Sequence, residues 1–513
     1  MSTSVLCIMI TILCYMGIMI VIGAVFSRKN KNVGDFYLGG RTLGPIVSAM
    51  SAEASDMSSY LLMGLPGLAY LCGTAEVGWT VIGLAVGTYL NWLLVAKRLR
   101  VYSQKCGAIT IPDFFANRFH DKNHVIVGLS AAIILIFFVP YTASGFSACG
   151  KLFNQLFGWD YHLAMLISAA VIILYTSLGG FLAASFTDLI QSIVMTTALV
   201  ILVLFGISTA GGIDNVIANA RATADYLSMT STVTEKGEHI GFGLFSIVST
   251  LAWGLGYFGM PHILLRFMAI EDKNKVKISR RIASVWVVIA MSVAVLIGII
   301  GNCLTSEGVI PLLGTSSRSE TIVLEMATVL SRHSIPAALV AGIIFAGILA
   351  CTMSTSDSQL LAASSSMSEN IFKGVFGMKL TEKQAMFVAK GVLAVIAFLG
   401  VLLAWDQDSS VFRVVSFAWA GFGATFGPVM LASLFWKRCN KYGACAGLIA
   451  GGVMIFLWKF VIAQLGGIFA VYELLPSFIT ALIAIVVVSL LTGEPDKEVT
   501  DEFDAVQAEL AQK

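Results

Sequence analysis

Ser51-Ala52-Glu53-Ala54-Ser55-Asp56-Met57-Ser58-Ser59 lies in the middle of a hydrophobic stretch, residues 43–72, long enough to cross a membrane. Carboxylates are rare at that depth, because a charge leaving water costs several kcal/mol. On an insertion scale Asp at a helix centre costs about 2.5–3.5 kcal/mol. A residue kept there faces a cavity and marks the path of an ion or a substrate. Small and hydroxyl side chains surround Asp56, and Gly64-Leu65-Pro66-Gly67 follows. The stretch reads as a helix that breaks in order to bind something.

The rest of the chain is as apolar. Of 513 residues, 57% are hydrophobic and 12% charged, and the mean hydropathy is +0.87; ordinary soluble domains carry about 25% charged residues. Thirteen hydrophobic runs recur: 5–26, 43–72, 76–96, 125–148, 162–179, 188–208, 240–265, 282–303, 335–363, 386–404, 410–436, 442–464 and 471–492, numbered here as spans 1 to 13. Helices are expected, because lipid offers the backbone no hydrogen-bond partner. The runs are too long and too uniformly apolar for barrel strands.

The net charge of +2 carries little information, but the placement of the charges carries much. With the N-terminus outside, the cytoplasmic loops hold Arg28, Lys29, Lys31 and Arg41; Lys97, Arg98, Arg100, Lys105, Arg118 and Lys122; Arg266, Lys273, Lys275, Lys277, Arg280 and Arg281; Lys373, Lys379, Lys383 and Lys390; and Lys437, Arg438 and Lys441. Those are 23 of the 32 Lys and Arg, or 25 with Lys497 and Lys513. This bias predicts N-out, C-in at the plasma membrane, and makes the basic loops topology signals, not nucleic-acid patches. Positive charges follow span 1 and none precedes it, as in an uncleaved N-out helix. The nine cysteines show no CxxC pairing, and Cys7, Cys14, Cys149, Cys303 and Cys351 fall in or at the ends of spans, where they read as small hydrophobes.

Residues 1–492 read as one transmembrane domain and 493–513 as a short cytoplasmic tail with the makings of an amphipathic helix. No piece outside the membrane is large enough for an active site, so the chemistry belongs between the helices. Span 7 contains Trp253-Gly254-Leu255-Gly256-Tyr257-Phe258-Gly259-Met260-Pro261-His262, where three glycines and a proline weaken a helix. Spans 2 and 7 start five spans apart and enter from opposite sides. Two broken helices so placed point to a transporter with inverted repeats, here about 43–208 and 240–436, with spans 1, 12 and 13 as additions.

Span 9 carries Cys351, Ser354, Thr355 and Ser358 at i, i+3, i+4 and i+7, a column on one helical face, with Asp357 alongside. Hard cations such as Na⁺ take oxygen ligands, and a broken helix frees carbonyls for them. A lone Ser–Thr pair in a membrane helix more often back-bonds to its own carbonyls; Asp357 and the carboxylate-bearing span 2 tip the balance toward a cation. On span 7, Trp253 and Tyr257 at i and i+4 share a face and read as pocket walls, although a single membrane aromatic is usually packing. Asp188 reads either as a carboxylate favoured at the N-terminus of span 6 or as a gate or second cation site. Glu53 stands one turn before Asp56. Two carboxylates so close repel unless a cation lies between them or one is protonated, and Glu53 alternatively faces a cytoplasmic vestibule.

No Walker-type loop, GxSxG or HExxH occurs, which argues against an ATP-driven pump or an enzyme, and nothing resembles a K⁺ filter. An ion gradient is the simplest energy source. A passive channel and a membrane sensor are the rival classes, and the short tail argues against the second.

The chain resembles the sodium/solute symporter family, and within it the bacterial sodium/proline symporters, from about residue 5 to 490. The resemblance is carried by Asp35-Phe36-Tyr37-Leu38-Gly39-Gly40-Arg41, Ala54-Ser55-Asp56-Met57-Ser58, Leu61-Leu62-Met63-Gly64-Leu65-Pro66-Gly67, Gly179-Gly180-Phe181-Leu182-Ala183, Trp253 to Gly259, Pro261-His262-Ile263-Leu264, Arg266-Phe267-Met268 and Met353-Ser354-Thr355. It implies an all-α protein of about thirteen transmembrane helices with a five-plus-five inverted core. It implies a sodium site of the Ala54, Met57 and Cys351 carbonyls with the Ser354 and Thr355 hydroxyls, with Asp56 needed for coupling and Ser58 beside it. Asp188 matches a position tied to ion release or to a second sodium site, which Asp357 and Ser358 are placed to join. Tyr141, Trp253, Tyr257 and Pro261 would form the substrate pocket. Na⁺ is the only metal and no organic cofactor is implied; the partners are a small amino acid, proline first, and membrane lipid. The chain departs from the proline symporters at Glu53, where they often have Gly, and at Ser59-Tyr60, where they often have Gly-Trp. Tyr60 still offers the pocket an aromatic face, but another small organic solute stays open as substrate.

Overall fold

The computed structural model describes residues 2–27, 32–234 and 237–511. Arg28, Lys29, Lys31 and Lys513, four of the charges on which the expected topology rests, lie outside them. Among the described residues ten helices are long and apolar enough to cross a membrane, and the bent pair Leu244–Gly259 and Pro261–Ala269 makes an eleventh. The two other expected spans are helical but fail on composition or length. Span 2, Pro45–Cys72, carries Glu53 and Asp56 and a break. Span 5 is continuous with span 6 in a helical run Tyr161–Thr209, split by a kink where Gly180 takes φ +65°. Only glycine adopts that conformation freely.

Burial differs widely among the spans. Span 9 (Ile335–Val375) and span 11 (Val411–Phe435) bury 67% and 78% of their apolar windows; spans 1 and 12 bury 22%. Span 9 packs on spans 1, 2, 4 and 6, and so stands at the centre. The seam between spans 3 and 7 is made by glycines: a Cβ on Gly254 would lie 2.2 Å from the Gly83 carbonyl oxygen. The backbones touch there because no side chain stands between them.

The tail forms a helix, Lys497–Ala511, with Val499, Phe503 and Val506 buried. Its polar face binds Arg98 through Gln507 (2.8 Å), Lys273 through Glu509 (3.0 Å), Lys437 through Asp504 (2.5 Å) and His120 through Glu502 (3.0 Å). Four basic segments therefore meet on one face of the molecule. Arg41 staples the same face, donating to the Met268 carbonyl at 2.7 Å and to the Ala108 carbonyl at 2.6 Å. The opposite face carries a two-stranded hairpin, Ser231–Val233 with His239–Gly241, which no hydrophobic pattern announced.

Candidate functional site

Span 2 breaks at Ser58, not at the Gly64–Gly67 stretch. Ser58 takes φ +46° and ψ −170° inside an otherwise helical segment. A non-glycine residue pays about 1–3 kcal/mol for such a conformation, and such residues cluster at functional sites. Its hydroxyl accepts the backbone N–H of Tyr60 at 3.2 Å. Gly64–Gly67 stays helical because Pro66 falls in the first turn of Leu65–Cys72, where its missing N–H costs nothing. Gly67 serves close packing instead: a Cβ there would lie 2.8 Å from the Glu320 backbone nitrogen.

Span 7 breaks where expected, in a different way. Ala252–Gly259 winds as a tight helix of three residues per turn, Met260 is extended, and a new helix begins at Pro261, bent by 48°. Tight winding turns residues i and i+4 about 120° apart, so Trp253 and Tyr257 do not share a face. The Tyr257 hydroxyl donates to Asp56 Oδ2 at 2.6 Å. Trp253 stacks on Tyr60 with ring centroids 5.8 Å apart. Gly256 admits the Trp419 indole, since a Cβ would lie 1.9 Å from its Nε1.

Beside the span 2 break, span 9 offers oxygens. Ser354 Oγ donates to the Ala54 carbonyl at 2.8 Å and lies 3.1 Å from the Cys351 carbonyl. Thr355 Oγ1 is buried with no hydrogen-bond partner. Met57 and Asp56 border a cavity on the same side. Ser354 Oγ thus brings the Ala54 and Cys351 carbonyl oxygens together at the seam of spans 2 and 9. One turn further along span 9, Ser358 and the adjacent Asp357 meet a different set of partners.

There the structure places Arg266. Its guanidinium donates to Asp188 Oδ2 (3.1 Å), to Ser358 (2.5 Å) and to Ser51 (3.0 Å), and Ser51 donates to Asp188 at 2.6 Å. Ser358 donates to Asp357 Oδ1 at 3.1 Å. Spans 2, 6, 7 and 9 are tied at one buried cluster, and nothing in the local sequence around Arg266 points to a carboxylate 78 positions away. Asp188 lies two turns inside span 6, counted from Gly180, so a helix-terminal role is ruled out.

The narrow cavity beyond Asp56 and Met57, of about 10 Å³, is lined by Tyr60, Leu84, Tyr141, Trp253, Met291, Val415 and Trp419. Of the expected pocket residues Tyr60, Tyr141 and Trp253 reach it. Tyr257 and Pro261 do not line it; Tyr257 spends its hydroxyl on Asp56, and Pro261 starts the second half of span 7. On the side away from the tail the cavity is roofed by packed rings: Trp253 tilted against Phe412 (5.7 Å) and stacked on Tyr472 (5.2 Å). Phe412 is held by Glu320, which accepts its backbone N–H and that of Val411 while pairing with Lys151 at 3.0 Å. Across this roof a wider space of about 310 Å³ opens.

A chain that breaks two helices at equivalent places in its two halves, and fills the gap with oxygen atoms and aromatic rings, is a secondary transporter of the inverted-repeat kind. Residues 36–451 match the sodium:solute symporter family, and the chain belongs to it. It is 42% identical to the sodium/proline symporter of Haemophilus influenzae, over 98% of each chain. It is 39% identical to the high-affinity proline transporter PutP of Bacillus subtilis, over 96% of this chain and all of that one. A Na⁺-coupled sialic acid symporter in a substrate-bound outward-open state shares the fold, with a TM-score of 0.79 at 18% identity over 96% of this chain and 99% of that one.

Proposed function

We propose that the chain imports L-proline together with Na⁺ by alternating access, with its N-terminus outside and its C-terminal helix in the cytoplasm. The observation that carries this is Asp56: buried at mid-span, without an ion-pair partner among the described residues, and adjacent to the Ala54–Ser354 oxygens. Sodium arriving from outside is held by the carbonyls of Ala54, Met57 and Cys351 and the hydroxyls of Ser354 and Thr355, with Ser58 keeping span 2 open. It replaces the direct Ser354–Ala54 bond and pins span 2 to span 9. Asp56 compensates the cation and orients Tyr257, which sets span 7 against the cavity. Substrate then sits under the aromatic roof among Tyr60, Tyr141 and Trp253. Because ion and substrate stabilise the same arrangement, each tightens the binding of the other by the same factor. A monovalent cation moving down 100 mV supplies about 2.3 kcal/mol, apart from its concentration term.

The two repeats are 43–208 and 240–436, and the Asp188–Arg266–Ser358 cluster is the inner gate between them. Asp188, Asp357 and Ser358 then form no second sodium site while Arg266 is docked, since its guanidinium supplies the positive charge. Inward release requires this cluster to part.

The test is uptake of radiolabelled proline into proteoliposomes with an imposed Na⁺ gradient. Saturable uptake that collapses when Na⁺ is replaced by choline is the expected result. Uptake indifferent to Na⁺ overturns the coupling; Na⁺ dependence with another solute, and no entry or competition by proline, overturns only the substrate. Ser59-Tyr60 is the place where such a change of substrate would originate, so a panel of amino acids belongs in the same assay.

A further inference from the structure

Glu53 and Asp56 stand one turn apart on span 2, and different helices hold them. Glu53 is 1% exposed and does not reach a vestibule. Its Oε1 accepts the Trp92 indole N–H at 3.0 Å and the Thr88 hydroxyl at 3.2 Å, both from span 3. The Trp92 ring is fixed in turn by Phe267, with centroids 4.3 Å apart. Asn91, next to Trp92, donates to the Tyr257 carbonyl at 3.0 Å, and the Tyr257 hydroxyl returns to Asp56 at 2.6 Å. The bonds close a circuit from span 2 through span 3 and span 7 back to span 2.

The circuit encloses the one turn of span 2 that precedes the break. Past Ser58 the helical backbone is interrupted, so side chains fix that turn at its far end. The Ala54 carbonyl lies inside it and meets Ser354 at 2.8 Å. We propose that Glu53 is a positioning residue for the ion site: by holding Trp92 and Thr88 it sets the rotation of the turn that presents the Ala54 carbonyl and Asp56. The proposal rests on the sodium reading above and adds to it a residue that does not touch the ion.

The experiment is Na⁺-dependent proline uptake, read as the Na⁺ concentration for half-maximal rate alongside membrane abundance. Glu53→Ala and Trp92→Phe are each expected to raise that concentration about tenfold, the worth of one buried hydrogen bond to a carboxylate. Combining them should add little, because both cut the same circuit. Glu53→Gln keeps an oxygen for Trp92 and turns an amide N–H to the Thr88 hydroxyl, so it should stay within about threefold of the parent. If Glu53→Ala fails to reach the membrane, Trp92→Phe decides alone. An unchanged Na⁺ requirement with only abundance lost overturns the proposal in favour of packing. Glu53→Gln as impaired as Glu53→Ala overturns it in favour of charge. Ser354→Ala in the same assay separates the two levels: if it leaves the Na⁺ requirement unchanged, the sodium reading itself fails; if it raises it while Glu53→Ala does not, only the positioning role fails.

Discussion

Asp56 and Asp188 are both buried carboxylates in the middle of membrane helices, and they are satisfied in opposite ways. Asp188 has a built-in cation, the Arg266 guanidinium at 3.1 Å, and a hydroxyl from Ser51. Asp56 has the Tyr257 hydroxyl at 2.6 Å and no ion-pair partner among the described residues. A buried ion pair with its hydrogen bonds filled is a closed device, which opens only if its helices separate. A buried carboxylate facing neutral donors and loose carbonyls asks for a charge from elsewhere. The difference is what the proposed division of labour rests on, with Asp188 at the gate and Asp56 beside the passenger ion.

The comparison breaks most readily at Arg266. Removing one member of a buried pair leaves the other uncompensated and costs about 3–5 kcal/mol. Arg266→Gln is therefore expected to lower the melting temperature of the purified protein sharply, and added Na⁺ to restore part of it, because Asp188 is then free to take a cation. Asp188→Asn with Arg266→Gln should melt higher than Arg266→Gln alone. Strict additivity of the two single losses would remove the pair from the gate.

At Asp56 the expected effect falls on the ion and less on the fold. A unit charge about 6 Å from a cation at an effective dielectric near 20 is worth about 3 kcal/mol. Asp56→Asn keeps an acceptor for Tyr257 and loses that charge. The Na⁺ concentration for half-maximal uptake should rise about a hundredfold, while abundance and melting temperature change little. An Asp56→Asn protein that melts as low as Arg266→Gln would make Asp56 structural and erase the contrast.

How much of this the sequence disclosed follows the same physics. Runs of about 20 apolar residues in lipid have one solution, the helix, so all thirteen spans were legible. Asp56 was legible because a charge there is expensive. That Ser354 meets span 2 was legible from the helical spacing of its hydroxyl column beside a broken span. The break is not where Gly64-Leu65-Pro66-Gly67 suggests, since a proline in a first turn is harmless; it falls at Ser58, whose positive φ no local residue type announces. Trp253 and Tyr257 share a face only at 3.6 residues per turn, and the backbone there winds at three. Arg266 meeting Asp188, and Trp419 and Met291 reaching the cavity, depend on how distant helices cross, and no local pattern encodes that.

Ser354 and Thr355 sharpen the contrast on a finer scale. Each supplies one neutral oxygen, and one such bond is worth about 1 kcal/mol. Ser354→Ala and Thr355→Ala should each raise the Na⁺ requirement roughly fivefold without loss of protein from the membrane. Ser358→Ala, whose hydroxyl serves Arg266 and not the ion, should leave that requirement unchanged. Equal shifts from all three would dissolve the division of span 9 between ion and gate.

The smallest effect is expected where charge pairs are most numerous, on the tail helix. Lys437 and Asp504 approach to 2.5 Å, but their side chains are 47% and 57% exposed. Water screens such a pair and the two chains lose freedom in forming it, so it is worth about 0–1 kcal/mol. Asp504→Asn should shift the melting temperature by less than can be measured and leave the Na⁺ requirement as it was. Phe503→Ala removes a buried ring under Arg118 and should release more of the helix than any one of its charges. If instead Asp504→Asn altered transport as strongly as Arg266→Gln, depth in the protein would not be what separates a gate from an ornament, and the distinction drawn between Asp188 and Asp56 would lose its basis.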